Sequence, residues 1–179
     1  NILLDTLARF VRERLVPLEA EVAESDRIPP ALVEEMKALG LFGLSIPEAF
    51  GGMGLTMEEE VLATFEIGHT SPCFRSLFAT NNGIGGQGIV IDGTPEQQAR
   101  YLPRLVTGEL IGSFALTEPD SGSDAASLRT SAVRDGDCYV LNGTKRYITN
   151  APEAGIFTVM ARTDPANKGA DGISAFIVE

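Results

Sequence analysis

Ser113-Phe114-Ala115-Leu116-Thr117-Glu118-Pro119-Asp120-Ser121-Gly122-Ser123-Asp124 divides the sequence in two, with helical periodicity before it and strand-like alternation after it. It opens on a short apolar run and breaks at Glu118-Pro119, where proline removes a backbone donor and pushes its predecessor toward extended geometry. Small polar residues follow. Ser121, Gly122 and Ser123 permit a close backbone approach, and their N–H and hydroxyl groups suit an anionic group. The stretch reads as a strand delivering its end to a site, against the plainer alternative of a serine- and glycine-rich surface turn.

Upstream, Leu3, Leu7, Phe10, Val11, Leu15, Leu18 and Val22 fall at helical spacing, with a bend expected at Pro17. A second helix opens at Pro29-Pro30 and stops at Gly40. Gly43 to Leu55 holds too many breakers for a regular element. Thr56 with Glu59 is a capping-box pair that starts a third helix, and a fourth runs from Ser71-Pro72 toward Ile89 and Ile91. Thr94-Pro95-Glu96-Gln97 combines an N-cap, a first-turn proline and a capping-box glutamine. Downstream, Leu128 to Arg134 alternates and Asp135-Gly136-Asp137 turns the chain. Cys138 to Leu141, Asn142-Gly143 and Thr144 to Thr149 spell a tight hairpin, and Ile156 to Arg162 and Ile173 to Val178 supply two more strands. The expectation is an all-helical domain over residues 1–112 and an antiparallel β-barrel or sandwich over residues 113–179, incomplete because the chain stops on a strand. Asn1 in place of an initiator methionine likewise suggests a removed segment or a truncation.

The formal net charge of -11 and the lack of a Lys/Arg cluster argue against nucleic-acid binding. The apolar runs are too short to span a bilayer. Cys73 and Cys138 lack metal-ligand spacing and read as free thiols, which fits a bacterial cytoplasm or a mitochondrial matrix. Gly83-Ile84-Gly85-Gly86-Gln87-Gly88 matches the dinucleotide string G-x-G-x-x-G, but a helical pattern rather than a strand precedes it, and the match is rejected. His69 is the single histidine, and no nucleophile elbow surrounds Ser123, which weakens a serine-hydrolase reading. Glu58-Glu59-Glu60 sits at a helix start, where negative charge favours the dipole.

Ala115-Leu116-Thr117-Glu118-Pro119-Asp120-Ser121-Gly122-Ser123-Asp124-Ala125-Ala126-Ser127 resembles the signature of the acyl-CoA dehydrogenase family. Further landmarks stand in family order: Ile46-Pro47-Glu48, Phe50-Gly51-Gly52, the Thr94 to Leu105 helix, Leu141-Asn142-Gly143-Thr144-Lys145, Ile148-Thr149-Asn150-Ala151 and Gly172 to Glu179. The resemblance implies a flavoenzyme with a helical N-terminal domain, a β middle domain and a helical C-terminal domain, of which this chain covers the first and most of the second.

Carried over by position, the resemblance puts FAD against Phe114, Leu116, Thr117, Gly122, Ser123, Tyr147, Ile148 and Thr149. Thr117 would serve the flavin N1/O2 side, Thr149 the neighbourhood of N5, and Ser123 the flavin pyrophosphate or the CoA part of the substrate. Leu77, Thr80 and Ile84, taken as one helical face, would contact the acyl chain. Tyr147 stands where the family usually has tryptophan, so stacking survives with less contact area. The family's reaction removes an α-proton with a glutamate while hydride leaves the β-carbon for the flavin, giving a trans-2-enoyl-CoA in fatty-acid β-oxidation. The base belongs to the C-terminal domain and carries over to no position here; Glu118 is read as holding the turn. An electron-transferring flavoprotein as acceptor and a homotetramer are also implied. The alternatives are an oxidase or flavin monooxygenase of the same fold, and a non-catalytic assembly protein built on it.

Overall fold

The computed structural model describes residues 1–179, which form two compact units, Asn1–Ile111 and Gly112–Glu179. In the first, helix α1 (Ile2–Phe10) passes through a π-type turn at Val11–Leu15 and a 3-10 turn at Val16–Leu18 into α2 (Glu19–Ser25). Pro17 offers no N–H to the helical ladder, and the regular α-helical bonding is interrupted there. Helix α3 (Pro30–Ala38) stops before Gly40, whose φ of +71° favours glycine. The breaker-rich stretch that follows is tied to itself: Met53, Gly54 and Leu55 donate their N–H groups to the carbonyls of Gly43, Ile46 and Leu44 at 2.8, 3.0 and 2.9 Å.

Helix α4 (Met57–Ile67) starts in the Thr56/Glu59 capping box. Helix α5 (Pro72–Asn82) ends earlier than its periodicity suggests, and the pattern resumes as α6 (Gln87–Asp92). Between them the Thr80 carbonyl accepts from the N–H groups of Gly85 and Gly86. A Cβ on Gly86 would lie 2.0 Å from the Asn81 oxygen, so this glycine serves the chain's own turn. A helix, not a strand, precedes the G-x-G-x-x-G string. Helix α7 (Pro95–Val106) begins in the Thr94/Gln97 capping box. The core gathers Leu7, Leu15, Leu32, Met36, Phe42, Phe74 and Phe78, with Phe42 and Phe78 packed edge-on at 6.1 Å. Each such side chain contributes about 1.5–3 kcal/mol when fully buried. No helix is long and apolar enough to cross a membrane.

The second unit is a five-stranded mixed sheet: β1 (Gly112–Ala115), β2 (Ser131–Asp135), β3 (Cys138–Asn142), β4 (Ile156–Arg162) and β5 (Ile173–Val178). The pairs β2–β3 and β4–β5 are antiparallel, as the turn signals suggest. The pairing of β1 with β4 is parallel, from Gly112 opposite Ile156 to Ala115 opposite Val159, and β2 meets β4 in parallel at Ser131 and Arg162. This corrects the purely antiparallel expectation. Turn chemistry reports on strands adjacent in sequence, whereas the paired residues of β1 and β4 are 44 apart.

The expected turn at Asp135-Gly136-Asp137 joins β2 to β3, with Gly136 at φ +60°, but the second hairpin expected at Asn142-Gly143 does not form, since residues 144–150 form no strand. Neither Asn142 nor Gly143 has the positive φ that a type I′ turn needs. Gly143 is instead required by proximity, since a Cβ there would lie 2.7 Å from the Thr130 Cα.

Candidate functional site

Strand β1 delivers Leu116 and Thr117 to the loop that follows it, and residues 145–149 run alongside in the opposite sense. The Ser113 hydroxyl, fully buried, donates to the Thr149 carbonyl at 2.7 Å. The Arg146 N–H donates to the Thr117 carbonyl at 2.8 Å, and the Lys145 ammonium donates to the Leu116 carbonyl at 2.9 Å. The two stretches singled out from the sequence, Phe114 to Thr117 and Tyr147 to Thr149, are therefore held side by side by three hydrogen bonds. Nothing in the spacing of 36 residues between Ser113 and Thr149 announces this.

Glu118 sets the turn at the end of β1. Its N–H donates to the Ser121 carbonyl at 2.8 Å. Its carboxylate accepts from the N–H groups of Arg129 and Thr130, at 2.6 and 2.9 Å, and from the Lys145 ammonium at 2.8 Å. Glu118 is buried and Lys145 largely shielded, their side chains 6% and 13% exposed. Burial alone would raise the Glu118 pKa. The Lys145 ammonium and the two amides outweigh it and hold the carboxyl at about 2. The Thr130 hydroxyl lies near the carboxylate but outside hydrogen-bonding geometry, so the weight falls on those three donors. A carboxylate so stabilised is a poor proton acceptor at neutral pH. Lys145 was one landmark among many in the sequence, with no signal pairing it to a residue 27 positions away.

Beyond this frame the polar groups are unspent. No hydrogen bond within the chain engages the hydroxyls of Thr117, Ser123 or Thr149, or the N–H groups of Gly122 and Ser123. Gly122 and Ser123 are exposed, and a Cβ at Gly122 would meet nothing within 4 Å. Phe114, Leu116, Thr117 and Ile148 are half-buried, and Thr149 is exposed. Tyr147 has φ +58° and is 78% exposed, with the Arg146 guanidinium 4.5 Å from its ring centre. A non-glycine residue in the left-handed region persists only where its surroundings impose it, and such residues gather at functional sites. Here the backbone is pinned on both sides, at Arg146 and at Thr149. An exposed aromatic ring, two free hydroxyls on adjacent segments and two free amides fit a planar heterocycle carrying an anionic diphosphate.

The residues expected to meet an acyl chain do not form one face. Helix α5 ends at Asn82, so Ile84 lies beyond it and is 58% exposed, while Thr80 is 4% exposed and Leu77 packs against the helical core. A groove of about 640 Å³ does open on this unit, walled by Leu55, Met57, Val61, Phe65 and Ile91, with Asn82 and Gly83 among its lining. Leu77, Thr80 and Ile84 are not part of it.

Residues 1–109 match the model of the acyl-CoA dehydrogenase N-terminal domain, and residues 113–179 match that of the acyl-CoA dehydrogenase middle domain. The chain belongs to the acyl-CoA dehydrogenase family. It is 40% identical over 170 residues to an acyl-CoA dehydrogenase of Bacillus subtilis, covering 95% of this chain and 45% of that protein. Among solved structures of relatives, a chain from work on the electron transferring flavoprotein of Acidaminococcus fermentans superimposes with a TM-score of 0.92 at 36% identity. That superposition covers 99% of this chain and 47% of that one. An acyl-CoA dehydrogenase of Bacillus anthracis complexed with FAD gives a TM-score of 0.86 at 36% identity, covering 99% and 31%. The chain spans less than half the length of the curated acyl-CoA dehydrogenases and related enzymes it matches.

Proposed function

We propose that this chain supplies one wall of the active site of an FAD-dependent acyl-CoA dehydrogenase, which converts an acyl-CoA thioester to its trans-2-enoyl product. The observation that carries the reading is the side-by-side pinning of Phe114–Thr117 and Tyr147–Thr149, with the Thr117 and Thr149 hydroxyls left free. The Bacillus anthracis relative complexed with FAD supports the choice of flavin. When bound, FAD supplies the hydride acceptor. The Thr117 and Thr149 hydroxyls donate to the polar edge of its ring system, Tyr147 covers the ring, and the amides of Gly122 and Ser123 meet an anionic phosphate. Ser123 also serves the CoA part of the substrate. The assignment of Leu77, Thr80 and Ile84 to the acyl chain rests on the family resemblance alone. Electron transfer to an electron-transferring flavoprotein and assembly as a tetramer in a bacterial cytoplasm or mitochondrial matrix complete the reading.

The proton-abstracting carboxylate is proposed to come from sequence outside these 179 residues, because the buried carboxylate beside the paired segments, Glu118, is locked as an ion. A chimera of this chain with the remaining C-terminal part of the Bacillus subtilis relative, loaded with FAD, is expected to bleach on anaerobic addition of an acyl-CoA. The chain alone should not turn over. Bleaching absent from an FAD-loaded chimera would overturn the dehydrogenase reading, and turnover by the chain alone would overturn the placement of the base. Fast reoxidation by air would favour an oxidase.

Gly122→Ala offers a check separate from activity. The added methyl meets no atom of the chain, so urea stability should change by less than about 0.5 kcal/mol. FAD affinity should fall about tenfold if the ligand's phosphates approach this backbone. Unchanged affinity would remove Gly122 from the site.

A further inference from the structure

Arg162, at the end of β4, is a clamp made without any carboxylate. Its guanidinium donates to the carbonyls of Ala126 and Asn167, both at 2.5 Å, and to those of Gly169 and Leu128 at 3.1 and 3.3 Å. It thereby ties the turn after Asp124 to the loop between β4 and β5. These bonds use four of the five N–H groups of an arginine and leave one on Nη2. Neutral carbonyls fix the side chain but leave its charge uncompensated. Beside it opens a cleft of about 380 Å³ lined by Ala126, Ser127, Leu128, Arg129, Arg162 and Lys168. Half of its lining is cationic and none is acidic, in a chain with 14 Lys and Arg against 25 Asp and Glu.

Of the neighbouring carboxylates only Asp120 touches a cation of the cleft, and weakly. Asp120 makes a long, exposed contact of 3.5 Å with Arg129, Asp124 accepts from the Ser127 hydroxyl, and Asp164 accepts from the N–H groups of Ala166 and Asn167. Lys168 has no ion-pair partner. A guanidinium held by four carbonyl bonds beside two exposed cations suits a compact, highly charged anion.

We infer that this cleft is a phosphate-monoester site formed by Arg129, Arg162 and Lys168, and that it takes the terminal ribose phosphate of the coenzyme A thioester. The assignment to coenzyme A rests on the reading of the substrate as an acyl-CoA. Arg162 holds the loops and so limits which variants are informative, whereas Arg129 and Lys168 are exposed and their replacement leaves the clamp intact.

The test is calorimetric titration of this chain and its Arg129→Gln/Lys168→Gln variant with coenzyme A, with dephospho-coenzyme A, which lacks only that phosphate, and with inorganic phosphate. Coenzyme A should bind about tenfold more tightly than the dephospho form. The preference should shrink with added salt and fall to about twofold or less in the variant. Inorganic phosphate binding that the variant loses, with the two coenzymes equal, would keep the anion site but overturn its assignment to coenzyme A. Equal binding of both coenzymes, unchanged in the variant and without phosphate binding, would overturn the site and leave the acyl-CoA reading standing. Binding of neither coenzyme would overturn both.

Discussion

Glu118→Gln is expected to destabilise the sheet unit by about 3–5 kcal/mol at neutral pH, a large share of the stability of a unit this small. The glutamine keeps the shape, but the amides of Arg129 and Thr130 bond different oxygens of Glu118, so its single side-chain oxygen can accept from only one of them and its NH2 faces the other. It leaves the Lys145 ammonium, 13% exposed, with no carboxylate. Removing one partner of a buried ion pair is costly because the survivor stays desolvated. The exposed Arg129–Asp120 pair shows the contrast: with side chains 79% and 74% exposed, Asp120→Asn should change stability by about 0.5 kcal/mol or less.

The same group sets an acid limit. A carboxyl held at about 2 when folded and at 4.5 when free gives stability that is fully present above pH 4.5 and is lost as pH falls toward 2. The unfolded chain binds more protons across that window, so stability rises with pH there. The shift corresponds to roughly 3 kcal/mol, and Glu118→Gln should flatten that slope. Urea unfolding at several pH values, with hydrogen exchange at residues 129 and 130, measures both effects. A variant with unchanged midpoint and slope would show that the ion pair does not hold the turn.

How far the sequence carried the reading depended on the range of the interaction. Both capping boxes, the glycine stop at Gly40 and the interruption of the helix at Pro17 lie within a few residues of their causes and were legible. The early end of α5 was not, because Leu77, Ile84 and Ile91 continue an apolar pattern while Gly86 answers to the Asn81 carbonyl. The second hairpin failed for a related reason: Asn142-Gly143 is a strong local turn signal, but its glycine answers to Thr130, whereas the turn at Asp135-Gly136-Asp137 was legible. The site residues were found through family resemblance. Their mutual placement depends on Ser113, Lys145 and Arg146, whose bonds reach 36, 27 or 29 and 29 residues along the chain and have no periodic trace. Parallel pairing of β1 with β4 belongs to the same class.

The helical unit has its own test of that principle in Gly52→Ala. An ideal Cβ at Gly52 would lie 1.9 Å from the Ile46 carbonyl oxygen, 2.6 Å from its carbon and 2.9 Å from the Gly43 oxygen. All three atoms are backbone, so no side-chain rotation relieves the clash. The chain must move apart where Gly54 N–H meets the Ile46 carbonyl and Met53 N–H meets that of Gly43. Those bonds close the loop that carries Phe42, Leu44 and Ile46, all 3% exposed or less, into the interior. Losing two backbone bonds costs about 1–3 kcal/mol, and displacing buried side chains adds overpacking strain of about 1–3 kcal/mol. A drop of about 2–6 kcal/mol in urea stability is therefore expected for Gly52→Ala, against almost none for Gly122→Ala, where the added methyl meets open space. Equal stability of the two variants would mean that the Gly43–Leu55 stretch can shift freely and that its glycines reflect only a dislike of regular structure.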